Sequence, residues 1–138
     1  MRTTRVVLAD DHVVVRSCIR EILQKAPGIE VVGEASNGVE AIHIVNHLAP
    51  DILLLDMEMP VLNGVEVARE LNATQSPVHI LALSAYDDPQ YILELFANGA
   101  SGYLTKDEAP ERILDAIRCV SAGETGWVSK HKPKTEGK

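Results

Sequence analysis

Several short apolar segments of this chain end in residues suited to metal and phosphoryl chemistry. In chain order these residues are Asp10, Asp11, Asp56, Ser84 and Lys106. Taken singly, most have an ordinary role: Asp11 as a helix N-cap, Ser84 as a turn residue, Lys106 as a solvated charge. Asp56 is harder to explain, because it closes an apolar run, and an unpaired carboxylate buried there would cost several kcal/mol. Together the five residues favour a functional site.

The three aspartates predict a cation site. Two carboxylates about 4 Å apart repel by ~4 kcal/mol at an effective dielectric constant of about 20, so three in one crevice favour a bound cation. Oxygen ligands without cysteine or histidine select a hard ion. Few carboxylates with room for water suit Mg²⁺ better than Ca²⁺. We interpret His12, which follows the aspartates, as a helix surface residue rather than a ligand.

A carboxylate beside Mg²⁺, an ammonium group and a hydroxyl is typical of a phosphoryl acceptor. Asp56 is the expected nucleophile, since a carboxylate is already ionised at pH 7 and needs no general base. Mg²⁺ and Lys106 would neutralise charge on the transferring oxygens, and the Ser84 hydroxyl would hydrogen-bond the attached phosphoryl group. The sequence therefore predicts Asp56, Lys106 and Ser84 as the catalytic residues.

Alternating strands and helices would bring these residues to one place. Apolar patterning predicts strands over residues 5–9, 29–35, 51–56, 78–83 and 101–105, and helices over 12–25, 39–48, from 64 onward, 89–98 and 110–122. Strict alternation indicates a parallel, doubly wound α/β sheet with helices on both faces. In such a sheet ligands bind at the carboxyl ends of the strands, where the candidate residues fall.

Length and composition exclude several classes of function. The 138 residues suffice for one domain with its own core, which we expect to span residues 1–123, with 124–138 as a polar, basic tail or the start of a linker. A net charge of −7 and 4% aromatic residues argue against nucleic-acid binding by this domain. No apolar run approaches the ~20 residues of a membrane span. Cys18 and Cys119 lack metal-ligand or disulfide spacing, which is typical of reduced thiols in a cytoplasmic protein.

In combination the motifs resemble the receiver domains of bacterial two-component response regulators, over about residues 4–123. The matching segments are Asp10-Asp11, Asp56-Met57-Glu58-Met59-Pro60 with Gly64, Ser84-Ala85, and Gly102-Tyr103-Leu104-Thr105-Lys106. The segment 99–106, together with Asp10-Asp11-His12 and Arg16, is most similar to the NarL/FixJ-type subfamily. The resemblance implies a flavodoxin-like (βα)5 fold with the strand order 2-1-3-4-5.

The resemblance also implies a role for each residue. A sensor histidine kinase would phosphorylate Asp56. Ser84 and Lys106 would contact the phosphoryl group, and Ser84 and Tyr103 would form a conformational switch. The implied Mg²⁺ ligands are Asp11, Asp56 and the backbone carbonyl of Glu58, with Asp10 acting mostly through water. Glu58 and Tyr86 occupy positions that the family uses to tune the phosphoryl lifetime.

The signal is expected to leave through the fourth helix, the fifth strand and the fifth helix. This surface includes Asp88, Tyr91, Glu94, Tyr103 and the helix starting near Pro110. The expected partner is a second copy of the receiver, forming a homodimer, or an attached output domain, and a contact through the first and fifth helices is the alternative. Subfamily members usually continue into a helix-turn-helix domain, so the chain is either a stand-alone receiver or part of a longer transcription regulator. Asp107 stands where many receivers have proline.

Three other functions remain open at the level of the sequence. An aspartate-nucleophile phosphohydrolase acting on a small substrate would use Glu58 as its acid/base, and it would show phosphatase turnover. A flavin-binding module would need a phosphate loop after the first strand, where Asp10 and Asp11 would repel phosphate. A receiver regulated without phosphate would not need the complete acid set.

Overall fold

Parallel strands form the central sheet in a computed structural model of the chain, which describes residues 3–85, 88–107, 110–123 and 127–128. The strands are β1 (Thr4–Ala9), β2 (Ile29–Ala35), β3 (Ile52–Asp56), β4 (His79–Ser84), β5 (Gly102–Thr105) and β6 (Trp127–Val128). The helices are α1 (Val13–Gln24), α2 (Gly38–Leu48), α3 (Gly64–Ala73), α4 (Pro89–Ala97) and α5 (Pro110–Ser121). The strand order is β2-β1-β3-β4-β5-β6, so the predicted order of the first five strands is confirmed.

Each face of the sheet carries its own hydrophobic core. Alternate residues of β3 divide between them, with Leu53 and Leu55 on the face covered by α2, α3 and α4. Ile52 and Leu54 lie on the face covered by α1 and α5. Because both faces of the strand are buried, its sequence is a continuous apolar run rather than an alternation.

The loop between β3 and α3 is folded tightly against the end of β3. A Cβ atom on Gly64 would overlap the Met57 side chain and lie 3.0 Å from Met57 Cα, so a larger residue at the start of α3 would displace Met57. Asn63 and Glu66 form a capping box at that helix start. Between these points Val61 has a φ of 73°, in the left-handed region. The loop that follows Asp56 is therefore fixed at both ends.

The start of α1 differs from the prediction. The N-cap is His12, whose side chain makes no capping hydrogen bond, so the prediction of Asp11 as the N-cap is wrong. The cause lies in the preceding turn, where the His12 N–H donates to Asp10 Oδ1 at 2.8 Å. This bond spans two residues, holds residues 10–12 in an Asx turn and delays the helix by one position.

β6 extends the sheet beyond the five predicted strands. Trp127 and Val128 pair in parallel with Gly102 and Tyr103, inside the segment expected to be a tail. The other residues of that segment, 124–126 and 129–138, and also Tyr86, lie outside the described residues. The domain boundary at residue 123 therefore stays a prediction. Across the ranges that the structure describes, no helix has the length and apolar character that crossing a membrane requires.

Candidate functional site

The carboxyl ends of β1, β3, β4 and β5 meet at one edge of the sheet. Backbone pairing continues past the strands, since the Met57 N–H donates to the Leu83 carbonyl and the Lys106 N–H to the Ser84 carbonyl, each at 2.8 Å. Asp56 and Ser84, the last residues of their strands, are 0% and 1% exposed. The structure thus brings Asp56, Ser84 and Lys106 together, as the parallel sheet predicts.

An acidic cluster lies at this edge. Ligand atoms of Asp10, Asp11, His12 and Asp56 all lie within 4.8 Å of one another. Asp10 is buried, whereas the Asp11 side chain is 31% exposed. The pKa of Asp10 is raised, first because the carboxyl is buried and further because of the charge on Asp56, although the hydrogen bond from the His12 N–H opposes the shift.

Three carboxylate oxygens in the cluster lack a hydrogen-bond donor. Asp10 Oδ2, Asp11 Oδ1 and Asp56 Oδ2 are buried and have no hydrogen-bond partner within the described part of the chain. Buried acceptors of this kind normally have a partner, and an unpaired buried charge is more costly still. A cation at the cluster would satisfy these oxygens, which suit a hard ion such as Mg²⁺.

His12 reaches the rim of this cluster. Its side chain is 60% exposed, as expected for a helix surface residue, yet Nδ1 lies 3.3 Å from Asp10 Oδ1 and 3.2 Å from Asp11 Oδ1. The sequence did not predict this proximity, because it depends on the turn of residues 10–12 rather than on helix periodicity.

Lys106 is the cation that faces the acids. Its Nζ lies 2.8 Å from Asp56 Oδ1, and its side chain is 21% exposed. Burial alone would lower the pKa of Lys106, but its hydrogen bond to Asp56 and the charges of Asp56, Asp10 and Glu58 raise it. The Glu58 N–H also donates to Asp56 Oδ1, at 3.0 Å. One oxygen of Asp56 is therefore held by two donors, while the other has no hydrogen-bond partner among the described residues.

The Glu58 side chain has a place that the sequence did not predict. Its carboxylate accepts hydrogen bonds from Ser84 Oγ at 2.8 Å and from the Ala85 N–H at 3.2 Å. It also lies 3.7 Å from Lys106 Nζ. The Ser84 hydroxyl and the Lys106 ammonium group, which are expected to bind a phosphoryl group, thus both lie near the Glu58 carboxylate.

Tyr103 points into the protein. It is 1% exposed and belongs to the core cluster that contains Ile92 and Leu95 of α4. The expectation that Tyr103 contributes to the α4-β5-α5 surface is wrong for this conformation, because its side chain is buried in the core on the face covered by α2, α3 and α4. Three further residues expected on that surface are exposed: Asp88, the N-cap of α4, and Tyr91 and Glu94 within α4.

A local hydrogen bond begins the loop after β5. Thr105 Oγ1 donates to Asp107 Oδ1 at 2.6 Å. Asp107 therefore ties this loop at the position where many receivers have proline. The next two residues, 108 and 109, lie outside the described part of the chain.

Comparison with known proteins identifies the family. The family model of the response regulator receiver domain matches residues 6–118. The chain belongs to the response regulator receiver family. Over 119 residues it is 38% identical to the nitrate/nitrite response regulator protein NarL of Escherichia coli K12 and 40% identical to the response regulator UvrY of the same organism. Each match covers 86% of this chain and 55% of the relative.

Solved structures agree with this assignment. The signal receiver domain of the response regulator NarL from Mycobacterium tuberculosis matches with a TM-score of 0.87 at 32% identity, covering 90% of this chain and all of that domain. A LuxR-family two-component response regulator from Aurantimonas matches with a TM-score of 0.85 at 33% identity, covering 89% and 88% of the two chains. The flavodoxin-like fold expected from the motifs is confirmed.

The domain is thus a receiver of the NarL, UvrY and DegU type, and the family resemblance is confirmed. Receiver domains belong to two-component systems, and phosphorylation on an aspartate is their general mechanism. Receiver domains generally bind Mg²⁺ in an acidic pocket. The relatives that this chain matches are response regulators rather than classical enzymes. The chain spans about half the length of the relatives that it matches.

Proposed function

We propose that Asp56 of this receiver accepts a phosphoryl group from the phosphohistidine of a sensor histidine kinase. The main support is the environment of the buried Asp56 carboxylate. Its Oδ1 is held by Lys106 and the Glu58 N–H, while Oδ2 has no hydrogen-bond partner among the described residues. In the transfer, an Asp56 oxygen forms a bond to phosphorus and the phosphorus–nitrogen bond of the donor breaks. The bonding electron pair leaves with the imidazole. The domain catalyses only this transfer and the later hydrolysis.

The acidic cluster fits Mg²⁺, which Asp10, Asp11, Asp56 and the backbone carbonyl of Glu58 would hold. When bound, the ion supplies positive charge that offsets the carboxylates and the oxygens of the transferring group. The unpartnered oxygens of Asp10 and Asp56 support this assignment, since each lies buried among other acids.

The remaining residues act on the phosphoryl group through charge and hydrogen bonds. The Lys106 ammonium neutralises the oxygens that become negative in the transfer. The Ser84 hydroxyl, which now donates to Glu58, would donate to the attached phosphoryl group instead. A phosphoryl group carries about −1.5 to −2 charges, so it would repel the Glu58 carboxylate as it recruits Ser84. This exchange is the first step of the proposed switch that ends at Tyr103.

The output of the whole protein is part of the proposal. DegU of Brevibacillus brevis, 36% identical over 119 residues, is described as a transcriptional regulatory protein, and we propose control of transcription here as well. The expected partners are the kinase and a second receiver or an output domain, with no nucleic acid bound by this domain itself. The proposed site of action is the cytoplasm.

Labelling with acetyl phosphate tests the proposal. With Mg²⁺ present, intact-mass measurement should show one added phosphoryl group, which chelation with EDTA should prevent. Asp56→Asn should take up none. Asp115→Asn, the same change at an exposed position of α5, should be labelled like the wild type. Equal labelling of Asp56→Asn would contradict the assignment, and rapid turnover of small phosphate esters would favour a phosphohydrolase.

A further inference from the structure

We propose that Arg16 is a positioning residue that orients the two aspartates of the Mg²⁺ site. This inference rests on the proposed function, because it concerns the same acidic cluster. Arg16 lies on α1, and its side chain is 18% exposed. Its guanidinium touches the backbone that carries the acids rather than the acids themselves.

Hydrogen bonds on both sides fix the backbone of Asp10. Arg16 Nη1 donates to the Asp10 carbonyl oxygen at 2.6 Å. The Asp10 N–H donates to the Ala35 carbonyl at 3.0 Å. A peptide group is planar, so holding this carbonyl oxygen fixes the plane that joins the Cα atoms of Asp10 and Asp11. The contact from Arg16 therefore helps to set the directions in which both side chains leave the backbone.

Glu34 on β2 holds the guanidinium in place. Arg16 Nε donates to Glu34 Oε1 at 2.9 Å, and Arg20 Nη1 donates to Glu34 Oε2 at 2.7 Å. Glu34 pairs in register with Leu8, two residues before Asp10 on the neighbouring strand. The guanidinium of Arg16 thus connects β2 to the loop that contains Asp10 and Asp11. A lysine ammonium group cannot make both hydrogen bonds in the same geometry.

The sign of the effect on Mg²⁺ affinity separates positioning from simple electrostatics. A cation beside the cluster repels Mg²⁺, so an Arg16 that acted only through its charge would weaken binding, and its removal would tighten it. An Arg16 that orients the ligands has the opposite effect, and its removal weakens binding. Loss of the groups that orient metal ligands typically costs about tenfold or more in affinity.

The experiment is a Mg²⁺ titration followed by NMR shifts of the Asp11 and Met57 amides. We expect Arg16→Met to bind Mg²⁺ about tenfold more weakly than the wild type. Arg20→Met is the matched control, since Arg20 lies on the same helix and also binds Glu34, but among the described residues it makes no hydrogen bond to Asp10. Its Mg²⁺ affinity should change less than about twofold. Thermal unfolding of each variant shows how much stability each substitution removes.

Arg16→Lys tests the geometry separately and decides the question if Arg16→Met does not fold. It keeps the charge but not the guanidinium, so its affinity should also fall. Wild-type affinity in Arg16→Lys would show that the guanidinium geometry is not needed and would overturn the positioning role. Unchanged or tighter binding by Arg16→Met, or an equal loss in Arg20→Met, would overturn it too. A wild-type domain that binds no Mg²⁺ would instead remove the proposed metal site, and the inference with it.

Discussion

Asp10 combines burial with a negative charge, and both act against the folded state when no cation is bound. Burial and the charge of Asp56 raise the pKa of the Asp10 carboxyl above the ordinary value of 3.8. An acid whose pKa is raised by folding destabilises the protein once it ionises. The free energy of unfolding therefore falls as the pH rises from 3.8 through the raised pKa of Asp10. The full loss is present at neutral pH.

Asp10→Asn should therefore stabilise the metal-free domain at pH 7, because the neutral amide removes a buried negative charge beside Asp56. The amide oxygen can still accept the His12 N–H. Urea unfolding in EDTA measures the difference from the wild type, which should shrink as the pH is lowered toward 3.8. A gain that is the same at every pH would show that charge is not its cause. Mg²⁺ should stabilise the wild type more than the variant.

Lys106 provides a second prediction at the residue scale. Lys106→Met keeps the aliphatic stem but leaves the Asp56 carboxylate buried without its cation, which should cost about 3 kcal/mol of unfolding free energy without Mg²⁺. Phosphorylation by acetyl phosphate should slow. The affinity for Mg²⁺ should not fall, because a repelling positive charge is removed. Exposed Lys25→Met is the control, and a large loss of Mg²⁺ affinity in Lys106→Met alone would contradict the role of Lys106.

At the scale of the elements, the loop between β3 and α3 contains a backbone conformation that its sequence does not favour. Val61 is 72% exposed and has a φ of 73°, where β-branched residues are rare. Asparagine tolerates this region, so Val61→Asn should raise the unfolding free energy by about 1 kcal/mol. Urea unfolding measures the change. The same substitution at Val13, which is 64% exposed and begins α1, should bring no gain, because Val13 does not have a positive φ. A similar gain at both positions would point to reduced surface hydrophobicity instead.

Strands and helices were largely predictable from the sequence because the two-sided burial of the sheet imposes continuous apolar runs. β2, at Ile29–Ala35, has the predicted bounds, and the ends of most other elements differ by a residue or so. The two residues of β6 are too few to form an apolar pattern in the sequence, and a strand this short depends on its pairing with β5. The N-cap of α1 was missed because the turn at Asp10 binds the His12 N–H, and His12 is extended rather than helical.

The candidate site was predictable as a set of residues but not as a set of contacts. Parallel strands place Asp56, Ser84 and Lys106 at one edge whatever the loops do. The bond from Ser84 to the Glu58 carboxylate depends on the path of the β3–α3 loop, which no periodicity describes. The contact from Arg16 to the Asp10 carbonyl likewise needs the placement of α1 relative to the end of β1.

At the scale of the whole molecule, β5 connects the site to both faces of the sheet. Tyr103 belongs to the core that includes α4, and the next residue, Leu104, belongs to the core that includes α5. β5 also pairs with the end of β4, where Ser84 lies opposite Thr105. A shift of Ser84 toward a phosphoryl group would therefore act on the strand that contributes to both cores, and through it on two helices at once.

This arrangement predicts where phosphorylation becomes visible on the surface. Beryllofluoride with Mg²⁺ mimics the phosphoryl group, and amide NMR shifts compared with and without it should change at Asp56 and Ser84 and also along α4 and α5. Within α4 the buried Ile92 and Leu95 share a core with Tyr103, so repacking of that ring should move the helix and its exposed Tyr91 and Leu93.

Asp56→Asn is the control for this experiment, since it should abolish the shifts along both helices. Changes confined to the acidic cluster would mean that the route through Tyr103 is wrong. Changes concentrated on α1 and α5 instead would favour the alternative interface. Sedimentation with and without beryllofluoride then separates a second receiver as the partner from an output domain, because only the former should double the mass. The exposed face of α4 suits contact with a second receiver, because the Leu93 side chain is 67% exposed and would leave water when the partner binds.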